Sequence, residues 1–367
     1  RFTGIRNVSG SALNDTILGD AAATVPSYLD GFSGSDRIDG RGNPNNVADY
    51  LGGAFLGGPA SPPIVADLAA GTVDDGRGST DTLVAVRSIR GSASNDIFKG
   101  GVGDWTIDGG GGFGTSGGFV SAGGGDALDY RAFTQPITLS GVTTQGGTLA
   151  YAKGVVTKAS GTDTFGFIRG VWATQGDDSL TGLPDTTGQT FVMRGEQGND
   201  TLDGVAGALN IADYVNSPTG VIVRLQTATG GSTWTGDAQD GWGGNDLLIG
   251  LRRVRGSDNG DDDITGTDGR DTFWGTKGSD TYRGAGDYDT VTYVGLHQSG
   301  PPGTIDSTTT GVDPGLFGYA NMTIVKSAGG ADQGIGINQI EGTGLADVLR
   351  GLQLAAYPSG ATYSWNN

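Results

Sequence analysis

The chain has 367 residues, of which 72 are glycine and none is cysteine, and its formal net charge is −18. The surplus of carboxylates argues against a nucleic-acid-binding protein, because phosphates would be repelled, and the lack of cysteine excludes disulfides and thiol chemistry. No apolar run approaches the length that a membrane-spanning helix needs. An acidic surplus of this size favours cations as ligands.

Three sequence markers recur along the chain. The first is an aspartate in a turn such as "GSALND", at Asp15, Asp96, Asp178, Asp262 and Asp347. The second is the aspartate of "TDTLVAV" and its later versions, at Asp81, Asp163, Asp246 and Asp332. The third is a tyrosine, as in "NVADY", at Tyr50, Tyr130, Tyr214 and Tyr293. All three share a period of about 82 residues, which predicts a repeat protein.

The markers divide the chain into units. Residues 1–95 hold the end of a preceding unit and unit 1, and residues 96–177, 178–261 and 262–346 are units 2, 3 and 4. Residues 347–367 begin a fifth unit. We expect the chain to be a stretch of a longer array, since neither end looks like the cap that a solenoid needs.

Short runs of β-branched and aromatic residues alternate with glycine turns in every unit. Helical patterning is scarce, and one residue in five is glycine. Strands separated by glycine turns indicate an all-β solenoid, in which each coil buries its inward side chains against the next. The glycine-rich segment 108–126 lacks the lysine and hydroxyl residue of a phosphate loop and is predicted to be a loop or irregular coil.

An aspartate recurs every nine residues in the segment 257–293, and we call this spacing the nine-residue beat. Its aspartates are Asp262, Asp271, Asp280 and Asp289, and each is followed two residues later by Ile264, Phe273, Tyr282 or Val291. One short strand and one tight turn take about nine residues, so two such halves complete a coil. We therefore expect Asp262 and Asp280 on one edge of the stack, Asp271 and Asp289 on the other, and the four apolar side chains in the core.

Stacked aspartates need a counter-charge, because like charges in successive coils repel each other. Calcium is the ion that fits this pattern best: it accepts six to eight oxygens in flexible geometry, whereas Mg²⁺ requires a strict octahedron. Zinc is disfavoured in a chain with no cysteine and with His297 as its single histidine. Glycines in the turns let backbone carbonyls approach such an ion.

The segments "GTDGRDTFW" (266–274) and "GTKGSDTYR" (275–283) resemble the RTX nonapeptide, G-G-x-G-x-D-x-U-x with U bulky and apolar. Residues 195–203, 31–39 and 241–249 are similar, and the long unit resembles that of large RTX surface proteins and exoproteins. The resemblance implies a right-handed parallel β-roll with several bound Ca²⁺ ions. It makes the sixth residue a metal ligand, with the best context at Asp36, Asp200, Asp246, Asp271 and Asp280. Turn capping explains Asp81 and Asp163 equally well.

Some positions depart from the RTX pattern. The second glycine is replaced at Phe32, Glu196, Thr267 and Thr276, so these repeats are degenerate. Trp105 stands where unit 2 should have its aspartate, and Asn46 and Asn210 replace the aspartate before two of the tyrosines. We expect those turns to bind weakly or to serve only as structure, and the tyrosines to pack in the core or against turns.

No catalytic pattern is present in the sequence. His297 has no recognisable nucleophile partner, and neither H-E-x-x-H nor G-x-S-x-G occurs. The resemblance instead implies a protein secreted by type I secretion that folds on calcium outside the cell. We expect a structural role at the cell surface, as a stalk, adhesin segment, surface-layer or filament component. Its partners would be its own or neighbouring repeats and cell-surface polysaccharide; the alternative is the noncatalytic, calcium-folded portion of a larger RTX exoenzyme or toxin.

Overall fold

The computed structural model describes residues 6–51, 61–110, 125–145, 151–184, 190–225, 234–293, 305–312, 320–327, 330–343 and 347–349. These residues form 33 β-strands and no helix. No helix in these ranges could cross a membrane. His297, most of the glycine-rich segment 108–126 and most of the predicted fifth unit lie outside the described residues.

The strands form two sheets, A and B. Sheet A contains 19 strands: β1 (Asn7–Ser9), β3 (Ser27–Asp30), β5 (Asn46–Asp49), β9 (Ser88–Arg90), β11 (Trp105–Asp108), β13 (Ile137–Gln145), β14 (Tyr151–Lys158), β15 (Gly161–Ile168), β17 (Ser179–Thr181), β19 (Thr201–Asp203), β21 (Ile222–Arg224), β22 (Thr235–Gln239), β23 (Asn245–Ile249), β25 (Asp263–Thr265), β27 (Thr281–Arg283), β29 (Ile305–Val312), β30 (Ala320–Lys326), β31 (Ala331–Ile337) and β33 (Val348–Leu349). Sheet B contains 14 strands: β2 (Thr16–Leu18), β4 (Arg37–Asp39), β6 (Val65–Asp67), β7 (Thr72–Asp74), β8 (Thr80–Val84), β10 (Ile97–Lys99), β12 (Ala127–Asp129), β16 (Gly170–Trp172), β18 (Val192–Arg194), β20 (Ile211–Asp213), β24 (Arg253–Arg255), β26 (Thr272–Trp274), β28 (Thr290–Thr292) and β32 (Gln339–Glu341).

The nine-residue beat produces strands that alternate between the two sheets. In sheet A, β25 pairs in parallel with β27, which places Ile264 beside Tyr282. In sheet B, β26 pairs in parallel with β28, which places Phe273 beside Val291. Partners in one sheet are therefore 18 residues apart, so the prediction of a parallel solenoid with two half-coils per turn is confirmed.

The core lies between the sheets and is filled by the middle residue of most short strands. Ile264, Phe273, Tyr282 and Val291 all have 0% of their surface exposed, as the beat predicted. The Phe273 and Tyr282 rings stack with their centroids 5.8 Å apart. Burying one such side chain contributes about 1.5–3 kcal/mol, which is repeated at every half-coil.

Each long unit also contains a three-stranded antiparallel meander, which the sequence did not predict. In unit 2 the meander is β13–β14–β15. Its third strand, β15, pairs in parallel with β11 of the preceding coil, and its first strand, β13, pairs in parallel with β17 of the following coil. The same order holds for β6–β7–β8, β21–β22–β23 and β29–β30–β31. Along the stack, the third strand of each meander therefore comes first and its first strand comes last, which is the reverse of their order in the chain. We call this arrangement reverse insertion.

The sheets continue through the predicted unit boundaries. Strand β10 pairs with β6 across the boundary at 95/96, and β13 pairs with β17 across the boundary at 177/178. Strand β21 pairs with β25 across 261/262. The division into units therefore stays a prediction about the sequence period, because no break in strand pairing marks it.

The stacked core predicts a specific stability cost. Phe273→Ala should lower the free energy of unfolding by about 3–5 kcal/mol, because it empties a fully buried ring position. Leu247→Ala is the control: Leu247 lies on the outside of sheet A with 44% of its surface exposed, and its loss should cost less than about 1 kcal/mol. Urea unfolding in saturating calcium measures both. Equal losses would contradict the assignment of Phe273 to the core.

Candidate functional site

The aspartates of the nine-residue beat lie at the edges of the stack, immediately before their strands. The amide of Asp262 donates to Oδ1 of Asp280 at 3.0 Å, and the amide of Asp271 donates to Oδ1 of Asp289 at 2.9 Å. The first pair follows one edge and the second pair the other, as the sequence predicted. Each carboxylate thereby fixes the turn of the neighbouring coil.

The same hydrogen bond recurs along the chain. It joins Asp15 to Asp36, Asp36 to Asp81, Asp96 to Asp126, Asp178 to Asp200, Asp200 to Asp246, and Asp280 to Asp332, with N–O distances of 2.7–3.0 Å. We call these rows of linked carboxylates the aspartate ladders. Asp126 was not predicted from the sequence, where its signal is the position directly after a glycine run in "GGGDALDY".

The ladder aspartates differ in what binds their second carboxylate oxygen. In the first class, a serine or threonine four residues earlier donates its hydroxyl to the carboxylate. Thr267 also donates its amide to Asp271 at 2.6 Å, and Ser92 does the same for Asp96. The class comprises Asp15, Asp96, Asp178, Asp271, Asp280 and Asp347. Asp262 belongs with them: it shares the one hydroxyl proton of Thr276 with Asp280. The amide of Ser257 also donates to Asp262 at 3.0 Å, and the hydroxyl of Tyr282 also donates to Asp280 at 3.1 Å.

In the second class, a buried tyrosine binds the carboxylate. Tyr50 donates to Oδ2 of Asp81 at 3.0 Å, Tyr130 to Asp163 at 2.7 Å, and Tyr214 to Asp246 at 2.9 Å. Tyr293 forms the same hydrogen bond with Asp332. Two of the three sequence markers therefore meet in space, in every unit, on the third strand of the meander. The tyrosines pack in the core, and their hydroxyls bind the ladders.

In the third class, the second oxygen has no partner. Oδ2 of Asp36, of Asp200 and of Asp289 is buried without a hydrogen bond. All three turns place a non-glycine residue in the left-handed region, at Phe32 (φ 74°), Glu196 (φ 67°) and Ala285 (φ 71°). Since such a residue costs about 1–3 kcal/mol, these turns keep a strained shape that leaves the carboxylate oxygen unbound.

Steric crowding by the aspartate side chain explains why the first residue of these turns is glycine. A Cβ on Gly31, Gly195 or Gly284 would lie 2.1 Å from Oδ2 of the aspartate five residues later. The carboxylate therefore folds back over the first residue of its own turn, and only glycine leaves room for it. This explains why the first glycine of the repeat is retained where the second is replaced.

Asn46 and Asn210, which replace the aspartate before two of the tyrosines, are held by backbone carbonyls, whereas the backbone amide of Trp105 donates to the carboxylate of Asp163. The side-chain amide of Asn210 donates to the carbonyls of Gly204 and Leu183, and that of Asn46 donates to the carbonyls of Asp20 and Gly40. Trp105 lies beside Asp163 in the strand register. These residues serve as structure in this fold.

The RTX calcium-binding nonapeptide repeat matches this chain in four copies, at residues 88–115, 192–208 and 257–291. These stretches contain turns of the first and third classes. The chain is an RTX-repeat protein. No curated protein is similar enough to it to count as a relative.

Burial makes the RTX carboxylates hard to ionise. Burial, followed by the charge of Asp246, raises the pKa of Asp200 to about 9. Burial also raises the pKa of Asp289 and of Asp271 to about 7, and that of Asp178 to about 6. The ionised ladders therefore require a positive charge close to them.

Calcium suits these residues, and RTX nonapeptide repeats are calcium-binding. The donors are hard carboxylate oxygens, and the unbound Oδ2 atoms of the third class are each free to take an ion. Among the described residues, no group of three or more ligating side chains is already arranged around one point. Carbonyl oxygens of the turns would therefore complete the shell. Asp36, Asp200 and Asp289 fit this role best, and the first-class aspartates are satisfied by the protein itself.

The first and third classes predict that the same Asp→Asn substitution weakens calcium binding to different extents. Asp289→Asn should weaken calcium binding at its turn by about tenfold or more, because it neutralises a ligand whose Oδ2 has no other partner. Asp271→Asn should weaken it less, because Thr267 already binds that carboxylate. Calorimetric calcium titration of both variants makes the comparison. A larger loss of affinity in the Asp271 variant would contradict the assignment.

The metal-free chain should lose stability as the pH rises. The buried aspartates have folded-state pKa values above the ordinary 3.8, so the protonated carboxyls favour folding. This stabilisation is complete below about pH 4 and is lost progressively between about pH 4 and 9, because over that range the unfolded chain has released protons that the buried carboxyls still hold. Melting temperatures in chelator at several pH values test this, and saturating calcium should suppress the decline. A metal-free chain equally stable across that range would contradict it.

Proposed function

We propose that this chain is a secreted, calcium-binding RTX-repeat protein with a structural role at the cell surface. It would form a stalk, an adhesin segment, or part of a surface layer or filament. The observation that carries the proposal is the third class of turn, in which Asp36, Asp200 and Asp289 bury a carboxylate oxygen without a partner. Such oxygens make the fold conditional on a cation.

Calcium would act as a folding ligand. An ion that binds only the folded chain stabilises it by mass action, by about 2.7 kcal/mol per independent site at a hundredfold excess over the dissociation constant. Where calcium is scarce, as in the cytosol, the ladders would repel and the chain would stay unfolded. This behaviour suits export as an unfolded chain by type I secretion, followed by folding outside the cell.

A structural role agrees with how the fold distributes its residues. The same coil and the same carboxylate hydrogen bonds recur along both sheets in the residues that the structure describes. We propose no catalytic activity for the chain. Its partners would be its own or neighbouring repeats in a surface assembly, or cell-surface polysaccharide.

Calcium removal tests the proposal directly. Titration of the folded chain with chelator at neutral pH should weaken its β signal in circular dichroism and lower its melting temperature, because several coupled sites make folding steeply calcium-dependent. Magnesium should restore the signal poorly, since it favours a strict octahedron and retains its waters.

An unchanged β signal and melting temperature after verified calcium removal would overturn the proposal. A chain that responds to calcium but comes from a reading frame with catalytic motifs beside it would instead favour the alternative, the calcium-folded portion of a larger RTX exoenzyme or toxin.

A further inference from the structure

A cleft on the outer face of sheet A lies beside the turn between β22 and β23, and we call it the unit 3 cleft. Its volume is about 440 Å³, and four of its lining residues are glycines, so few side chains fill it. Three lining side chains come from neighbouring strands: Asn245 of β23 pairs with Gln239 of β22, which pairs with Ile222 of β21. All three are exposed. They therefore form one continuous row along the cleft.

This row offers hydrogen-bond donors, acceptors and one apolar group. A carboxamide has an oxygen that accepts and an NH₂ group that donates. Within the described part of the chain, no hydrogen bond of the protein holds the carboxamide of Gln239 or that of Asn245. Thr219, which also lines the cleft, donates its hydroxyl to the carbonyl of Gly241 at 3.0 Å. The two carboxamides can therefore bind a ligand without giving up a bond within the protein.

An exposed tryptophan adjoins the cleft. Trp242 lies between Gly241 and Gly243, which both line the cleft, and 39% of its surface is exposed. Oδ1 of Asp240 accepts the amides of Trp242 and of the next two residues at 2.8–2.9 Å, which fixes the turn that carries the ring. Among the residues that the structure describes, no other ring and no guanidinium packs against this indole. The turn thus holds a free aromatic surface in place.

Comparison with the other meanders shows that this exposed ring is particular to unit 3. The turn of unit 1 has the same length, and there Arg77 stands where unit 3 has Trp242. The Arg77 guanidinium lies 5.3 Å from the centroid of the Phe32 ring and donates to the carbonyl of that residue. In units 2 and 4 the turn between the second and third strands of the meander is shorter and contains no aromatic residue.

The charge at the unit 3 cleft disfavours an anionic ligand. Asp240 borders the cleft, and Asp237 is exposed on the same strand as Gln239. No lysine or arginine is among the described residues that line it, and the chain has a net charge of −18. An acidic polysaccharide would therefore be repelled, whereas a neutral ligand would not.

We propose that the unit 3 cleft and Trp242 bind a neutral polysaccharide, with one sugar in the cleft and its neighbour stacked on the indole ring. The face of an aromatic ring is negative and attracts the partly positive C–H groups of a pyranose. The carboxamides of Gln239 and Asn245 would donate to and accept from the sugar hydroxyls, and a few such polar groups in an open space are typical of ligand sites. The inference rests on the role at the cell surface proposed above, because it specifies the polysaccharide partner.

Affinity electrophoresis of the full, calcium-loaded chain tests this inference. Native gels that contain dextran, mannan or galactan present neutral polymers of glucose, mannose or galactose, and a gel that contains alginate presents an acidic polymer. Trp242→Ala removes the ring, and Gln239→Ala removes one free carboxamide. Tyr288→Ala is the matched control, because it removes a ring with 47% of its surface exposed that lies outside the cleft. Circular dichroism in calcium checks that each variant is folded.

At least one neutral polymer should retard the wild type, and alginate should not. Trp242→Ala should weaken binding to that polymer by roughly tenfold or more and Gln239→Ala by roughly threefold or more, whereas Tyr288→Ala should match the wild type. A folded wild type that no neutral polymer retards would overturn the inference, as would retardation by alginate alone or equal losses in the Trp242 and Tyr288 variants. A chain whose folding does not respond to calcium would instead refute the proposed function.

Discussion

The stack depends on one hydrogen bond, from the backbone amide before each strand to a carboxylate oxygen of the neighbouring coil. It occurs at nearly every level of the aspartate ladders, at 2.7–3.0 Å. A carboxylate suits this place because it can accept from the amide with one oxygen and still have a second oxygen available. The same choice creates the difficulty of the fold, since a buried charge must be neutralised or hydrogen-bonded.

The chain answers this difficulty in different ways at different turns. Hydroxyls satisfy the second oxygen in the first class, and tyrosines do so on the meanders. Lys158 and Lys326 bring a buried positive charge. Where none of these is present, as at Asp36, Asp200 and Asp289, the oxygen has no partner within the protein. Unpartnered carboxylate oxygens are therefore unevenly distributed along a repeat whose backbone is regular.

Much of the fold follows from short-range patterns. The nine-residue beat predicts the strands, the two half-coils and the inward positions of Phe273 and Val291, because strand alternation and tight turns are local. The distinction between satisfied and unpartnered carboxylates was also present in the sequence, as a serine or threonine four residues before the aspartate. Thr267 and Thr276 look like losses of glycine, but their hydroxyls bind the carboxylate.

The remaining features depend on contacts between distant residues. Tyr50 and Asp81 belong to two different sequence markers and are 31 positions apart, so the sequence did not indicate that they form a hydrogen bond with each other. The buried ion pairs Lys158–Asp163 and Lys326–Asp332 are local but were also missed, because the spacing differs between them, five residues in one and six in the other, and no fixed motif marks them. The reverse insertion of the meanders could not be predicted either, since both pairing orders satisfy the same alternation of apolar residues.

That reverse insertion links each unit to the one that follows it in the chain. The third strand, β15, pairs with β11 of the preceding coil, but without the following unit β13 would present a free edge of amides and carbonyls. Only β17 covers that edge, and free edges of this kind attract foreign strands. Each unit thus covers the free strand edge of the unit before it, so a chain cut between the two units would expose a strand edge that other chains could pair with.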